Sequence, residues 1–140
     1  GMIGGQSLDL EGVSSESEFR RMYSMKTGAL LRAAALSGAT LGGCNSSDKK
    51  HVVEFAEKAG FAFQIKDDLL DVYGNVDIIG KPTGSDEKNN KVTLGSMIGK
   101  RKAEELLKKT EIDALKALGK INEDTWFLEE LMGYIIKRKG

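Results

Sequence analysis

Gln64, Asp67, Asp68 and Asp71 are the residues whose type and spacing point most directly to chemistry. At about 100° per residue they fall in one arc of a helix roughly 100° wide. Phe61, Ala62, Phe63, Ile65, Leu69, Leu70, Val72 and Tyr73 fill most of the remaining circumference. Asp is a poor helix former, and like charges four residues apart cost a few tenths of a kcal/mol. No Lys or Arg lies inside the arc to offset that cost. A polar stripe is most often a solvated face, but such faces usually mix Glu with Lys and Arg that pair across turns. Three Asp in five residues favour the other reading, a site for a hard cation. Mg²⁺ takes one or two carboxylates and completes its shell with water and phosphate oxygens.

Lys26 is the second anomaly, because it sits in the middle of the apolar face formed by Phe19, Met22, Tyr23, Leu30, Ala33, Ala34 and Ser37. An ammonium there must snorkel to water or meet an anion, since burying it unpaired is costly. Thr27 adds a hydroxyl and Gly28 lets backbone approach a ligand closely. Further on, Gly80-Lys81-Pro82-Thr83-Gly84-Ser85-Asp86 and Asn89-Asn90-Lys91 combine glycines with spaced lysines, as in a phosphate clamp or an ordinary solvated loop. The segment lacks the Walker phosphate-loop pattern and does not follow a strand, which disfavours nucleotide binding of that kind. Gln6 and Asp9, one helical turn apart beside Gly4-Gly5, suit either a supporting layer behind a metal or a helix terminus. Carboxylates for Mg²⁺ plus lysines on separate elements are what a diphosphate needs. With no Ser/His or Cys/His nucleophile pattern, charge stabilisation of a leaving group is the chemistry that fits.

Helices are expected to position these groups. Pro82 is the only proline and β-branched alternation is scarce. An apolar stretch from Met2 to Leu10 should end at Glu11-Gly12. Ser15 with Glu18 three residues on reads as a capping box. The helix it opens is expected to reach Gly42-Gly43, bent near Gly28. Ser47 and Asp48 are expected to cap the helix that carries Val52, Phe55 and Ala56 into the acidic segment and stops at Gly74. Residues 74–92 read as a long loop of a length that is usually functional or disordered. Thr93 should cap a helix through Leu106 and Leu107 toward Leu118. Glu123, Asp124 and Thr125 should open a last helix ending in Lys137-Arg138-Lys139, where cations suit the helix dipole without any partner.

The 140 residues, 40% hydrophobic and 30% charged, are ample for one soluble domain with a core. With 21 basic and 21 acidic residues, net charge gives no hint of nucleic acid or of an anionic membrane. The single Cys44 excludes an internal disulfide, reads as a free buried thiol and fits a reducing compartment. The single His51 excludes His-rich zinc chemistry and reads as structural. No run approaches the ~20 apolar residues of a membrane span, and no basic-then-apolar leader is present, so a cytoplasmic location is expected.

Taken in order, Gly5-Gln6-Ser7-Leu8-Asp9-Leu10, Met25-Lys26-Thr27-Gly28-Ala29-Leu30, Phe63-Gln64-Ile65-Lys66-Asp67-Asp68-Leu69-Leu70-Asp71, Gly80-Lys81-Pro82-Thr83-Gly84-Ser85-Asp86 and Asn90-Lys91 closely resemble the C-terminal half of the trans-isoprenyl diphosphate synthases. The match is to bacterial short-chain enzymes of the farnesyl or geranylgeranyl diphosphate synthase type, over essentially the whole chain. The resemblance implies an all-α unit over residues 1–140, the C-terminal half of an isoprenoid synthase-type bundle. It implies that Asp67, Asp68 and Asp71 are the family's second aspartate-rich motif, with Asp67 the foremost Mg²⁺ ligand and the other two binding directly or through water. Lys26 and Lys81, assisted by Lys91 and Thr27, would hold an allylic diphosphate. Phe63 and Gln64 would line the place where the allylic carbon meets isopentenyl diphosphate, and Gln6 and Asp9 would support the metal cluster. The implied reaction is ionisation of the allylic diphosphate, condensation and proton loss, in a protein that is commonly a homodimer.

One departure stands out. The family's first aspartate-rich motif lies in an N-terminal half of comparable size, and no second Asp-x-x-Asp cluster facing Asp67 occurs in residues 1–140. The chain is therefore expected to be a piece lacking half an active site, inactive by itself. It should also expose apolar faces that invite self-association. A non-catalytic helical partner subunit of a prenyltransferase is the alternative, but such a subunit has no need of Lys26, Gln64, Asp67, Asp71 and Lys81. A terpene cyclase shares fold and Mg²⁺ use, but the Lys81 and Lys91 pattern favours the synthase.

Overall fold

The computed structural model describes residues 1–73 and 93–139, and among them every regular element is a helix. The first, α1 (Met2–Glu11), stops at Gly12, whose φ of 84° suits glycine. The second, α2 (Glu16–Tyr23), starts at Ser15, whose Oγ accepts from the Glu18 N–H at 3.2 Å. The reciprocal half of the expected box has slipped by one residue. Glu18 Oε2 accepts instead from the Ser14 N–H at 2.8 Å and the Ser14 hydroxyl at 3.0 Å. The Ser14 N–H is the main reason the Glu18 carboxyl is held below its ordinary value of 4.5.

The single bent helix expected from Ser15 to Gly42 is three pieces. After α2 comes a π-helical turn, Ser24–Gly28, and then α3 (Ala29–Leu41). The irregularity thus spans Lys26 and Thr27 rather than sitting at Gly28 alone, and such turns often mark functional positions. The next helix, α4 (Ser46–Tyr73), is capped by Asn45 and not by Ser47 or Asp48. Asn45 Oδ1 accepts from the N–H groups of Ser47 (2.8 Å) and Asp48 (2.9 Å), and its amide donates to Asp48 Oδ2 at 2.9 Å. Asp48 is drawn inward and buried. We expect Asn45→Ala to cost about 1–2 kcal/mol in urea denaturation, with Ser47→Ala within about 0.5 kcal/mol of the parent.

Thr93 caps as expected. Its Oγ1 accepts from the Ser96 N–H at 3.1 Å while Ser96 Oγ accepts from the Thr93 N–H at 3.0 Å. The helix it opens, α5 (Leu94–Ile98), does not continue to Leu118. Gly99 adopts φ 81°, which breaks the helical path, and α6 (Lys100–Leu118) begins afresh. Thr125 precedes the last helix, α7 (Trp126–Lys137).

Helix α4 is the axis of the fold. Its buried Phe55, Ala59, Ala62, Ile65 and Leu69 recur every three or four residues, the spacing of a helix with a core-facing stripe. Its most extensive partner is α6, which contributes Ala103, Leu107, Ala114, Ala117 and Leu118. Phe19, Met22 and Tyr23 of α2 and Met132 and Ile135 of α7 complete the same core. Helix α3 runs along another side of α4, and α1 lies against the Ser24–Gly28 turn. Cys44 is a free thiol that is half-buried, not fully buried as expected. His51 is partly buried on α4, its Nδ1 3.6 Å from Glu54 Oε2. Ile3 (85% exposed), Leu10 (79%) and Leu41 (89%) leave apolar surface uncovered on α1 and α3. Among the described residues no helix is long and apolar enough to cross a membrane.

Candidate anion and metal site

Two clusters gather residues expected to do chemistry. The first forms where α1 meets the Ser24–Gly28 turn. Gly5 is buried, and a Cβ built on it would lie 2.2 Å from Lys26 N and 2.6 Å from Lys26 Cα. Only glycine permits this approach, which brings Asp9 on the same helix to Lys26. Lys26 Nζ donates to Asp9 Oδ2 at 2.5 Å, with side chains 31% and 7% exposed respectively. The ammonium that the sequence places on an apolar face therefore meets an anion rather than only snorkelling. Gln6 is exposed on α1, and Thr27 beside Lys26 is partly buried.

The second cluster joins α4 to the end of α7. Arg138 Nη2 ion-pairs with Asp67 Oδ1 and donates to the Phe63 carbonyl at 3.1 Å. The guanidinium carbon stands 4.0 Å from the centre of the Phe63 ring, a cation–π contact. The basic tail thus has a partner that helix-dipole reasoning did not require. Asp67 is 46% exposed, so this pair contributes at most about 1 kcal/mol, and a stronger cation could displace it. Burial, and then the nearby Arg138 charge, lower the Lys66 ammonium below its ordinary 10.5.

Asp68 faces elsewhere, and its Oδ2 accepts from the Tyr23 hydroxyl at 2.8 Å and from the Leu94 N–H at 2.8 Å. Asp71 and Gln64 are partly buried on the same helix. Thr27 and Phe63 line one apolar cavity of about 680 Å³ between α3, α4 and α7, together with Leu31, Ala35, Phe55 and Tyr134. The cavity is thus lined by Phe63, on whose ring Arg138 rests, and by Thr27, the sequence neighbour of Lys26, whereas Lys26 and Asp67 are not among its lining residues. Lys81 and Lys91 lie outside the described residues, as do the expected loop at 74–92 and the helix stop at Gly74.

The carboxylates fit a hard cation only as part of a shell. Among the described residues no three His, Cys, Asp or Glu side chains converge as a metal cage. Hard-oxygen donors on a partly exposed helix face, one already drawing a guanidinium, match an ion that keeps water and phosphate oxygens for most of its ligands. Arg138, Tyr23 and Gly5 are the residues that sequence reasoning passed over. The one local signal was the Lys137-Arg138-Lys139 run, and nothing in it pointed at Asp67.

Residues 1–125 match the family model described as polyprenyl synthetase. The chain is 40% identical to the farnesyl diphosphate synthase of Micrococcus luteus, over 99% of this chain and 48% of that protein. It is 38% identical to the farnesyl diphosphate synthase of Escherichia coli (strain K12), again covering 99% of this chain and 48% of the relative. Among solved structures, the geranylgeranyl pyrophosphate synthetase of Pyrococcus horikoshii Ot3 superposes with a TM-score of 0.87 at 27% identity, covering 98% of this chain and 55% of that one. The chain spans about half the length of the curated relatives it matches.

Proposed function

The chain belongs to the polyprenyl synthetase family, and from that premise we propose that it supplies the C-terminal half of a trans-prenyltransferase. The reaction is condensation of an allylic diphosphate with isopentenyl diphosphate. The observation that carries this is the apolar cavity lined by Thr27, which follows the Asp9-paired Lys26, and by Phe63, one helical turn before Asp67. An amphiphile with a charged head and a hydrocarbon tail matches that pairing.

In this reading Lys26 binds and neutralises the allylic diphosphate, with Thr27 donating from its hydroxyl and Lys81 and Lys91 adding charge. Gln6 and Asp9 support the metal cluster from α1, and Asp9 also holds the Lys26 ammonium in place until the diphosphate arrives. Phe63 and Gln64 face the reacting carbons, and the apolar wall excludes water from the cation that forms. Asp67 and Asp71 of the acidic stripe are one arm of the Mg²⁺ site, the opposing arm coming from sequence that this chain does not contain. When bound, Mg²⁺ polarises phosphate oxygens and makes diphosphate a better leaving group. With only one arm, the chain by itself is inactive, and its uncovered α1 and α3 surfaces favour homo-oligomers.

A chimera tests this. The matching half of the Micrococcus luteus relative is replaced by this chain, and labelled isopentenyl diphosphate is supplied with dimethylallyl, geranyl or farnesyl diphosphate and Mg²⁺. The chimera is expected to form elongated product and the chain alone none. A folded chimera without product on any of the three substrates would overturn the assignment. Turnover by the chain alone would refute its predicted inactivity.

A further inference from the structure

Asp68 is next to Asp67 in sequence but about 100° away around α4. One of its oxygens, Oδ2, accepts from both the Tyr23 hydroxyl and the Leu94 backbone N–H, each at 2.8 Å. Tyr23 is buried and is the last residue of α2, immediately before the Ser24–Gly28 turn that carries Lys26 and Thr27. Leu94 is fully buried and opens α5, where first-turn N–H groups have no partner within the helix. A single carboxylate oxygen therefore ties α2, α4 and α5 together, through charge-assisted hydrogen bonds of the stronger kind.

We infer that Asp68 is a positioning residue: its carboxylate holds the Lys26–Thr27 turn and the start of α5 in register with the Asp67 and Asp71 arm, rather than holding the cation itself. The inference rests on the reading of Asp67 and Asp71 as ion-holding groups and divides the labour within the acidic stripe. The two roles make different chemical demands. A cation needs negative charge, whereas the Tyr23 hydroxyl and the Leu94 N–H need only an acceptor oxygen. Asn has the same size and offers that oxygen without the charge. Ala offers neither.

The test compares the unsubstituted chain with Asp68→Asn, Asp68→Ala and Asp67→Asn. Amide hydrogen exchange is read at Leu94, chemical shifts at Lys26–Gly28, and Mn²⁺-induced line broadening near residues 67–71 with inorganic diphosphate present. Asp68→Asn is expected to keep Leu94 exchange and the Mn²⁺ response within about threefold of the parent. Asp68→Ala is expected to speed Leu94 exchange at least tenfold, the size expected when a buried N–H loses its acceptor. It should also shift the Lys26–Gly28 amides, while Asp67→Asn loses the Mn²⁺ response and leaves Leu94 protected. Loss of the Mn²⁺ response in Asp68→Asn, with Leu94 exchange unchanged in both Asp68 variants, would overturn the inference and make Asp68 an ion ligand. Absence of any Mn²⁺ response in the parent would count against the ion reading alone, and the exchange and shift data would still decide the positioning role. Unchanged Leu94 exchange in Asp68→Ala would overturn it, as would unchanged Lys26–Gly28 shifts. If Asp68→Ala does not fold, Tyr23→Phe, which removes one donor, is expected to shift the Lys26–Gly28 amides and leave Leu94 protected. No shift there would overturn the inference.

Discussion

Gly5→Ala is expected to destabilise the fold by about 2 kcal/mol in urea or thermal unfolding and to displace Lys26. The added Cβ would lie 2.2 Å from Lys26 N and 2.6 Å from Lys26 Cα, and these are backbone atoms that cannot rotate aside. Overpacking of this kind costs about 1–3 kcal/mol, and contacts this short place it at the upper end. Ala is the better helix former by about 1 kcal/mol, so the clash wins and about 2 kcal/mol remains. Gly4→Ala is the control. Its Cβ would meet only Met25 Cε, at 2.8 Å, the far end of a side chain that can swing away. There the propensity gain should win, leaving stability unchanged or raised by up to about 1 kcal/mol. Equal losses at both positions would mean that the close approach of α1 to the Ser24–Gly28 turn is not what Gly5 is for.

The second large effect separates Lys26 from Asp9. Lys26→Met is expected to weaken diphosphate binding at least tenfold. It should also cost about 1–2 kcal/mol of stability, because Asp9, 7% exposed, loses the Lys26 ammonium as a charged donor. Asp9→Asn should act with the opposite sign on binding. It removes the carboxylate that competes with diphosphate for the ammonium, so affinity should hold or rise while some stability is lost. If Asp9 instead held the metal directly, Asp9→Asn would weaken Mg²⁺-dependent binding. Calorimetry on the two variants therefore assigns Asp9 to Lys26 or to the ion.

What could be read from sequence follows from how local each signal is. The acidic arc of Gln64, Asp67, Asp68 and Asp71 lies on one continuous helix, so helical periodicity alone gathered those residues, but it gave no sign that Asp68, at the edge of the arc, turns to Tyr23 and Leu94. Lys26 was conspicuous because a charge on an apolar face needs an explanation, and Asp9 supplies it. The contacts that shape the site are long-range and leave no local trace. Arg138 reaches Asp67 across 71 positions, and Tyr23 reaches Asp68 across 45. Tyr23 read as one more apolar-face residue because nothing nearby marks its hydroxyl as needed. Gly5 looked like a companion of Gln6, since a close helix approach shows only once both helices are placed. Asn45 rather than Ser47 became the α4 cap because its side chain reaches two N–H groups at once. Gly99 was passed over because a glycine inside an otherwise helical run is usually tolerated, whereas here it takes φ 81° and splits the run in two.

The Arg138–Asp67 pair bears on how the site behaves before any ligand arrives. A guanidinium resting on Asp67 and the Phe63 ring satisfies the carboxylate, and its modest worth at an exposed position leaves Asp67 available to the divalent ion proposed above.

The most direct test of the central claim, that this chain carries one arm of a Mg²⁺–diphosphate site, is calorimetric titration with inorganic diphosphate. It is run with and without Mg²⁺, on the parent chain and on an Asp67→Ala, Asp71→Ala double variant. The account predicts binding that strengthens with Mg²⁺ and loses that gain in the double variant. Diphosphate binding indifferent both to Mg²⁺ and to the loss of the two carboxylates would contradict it.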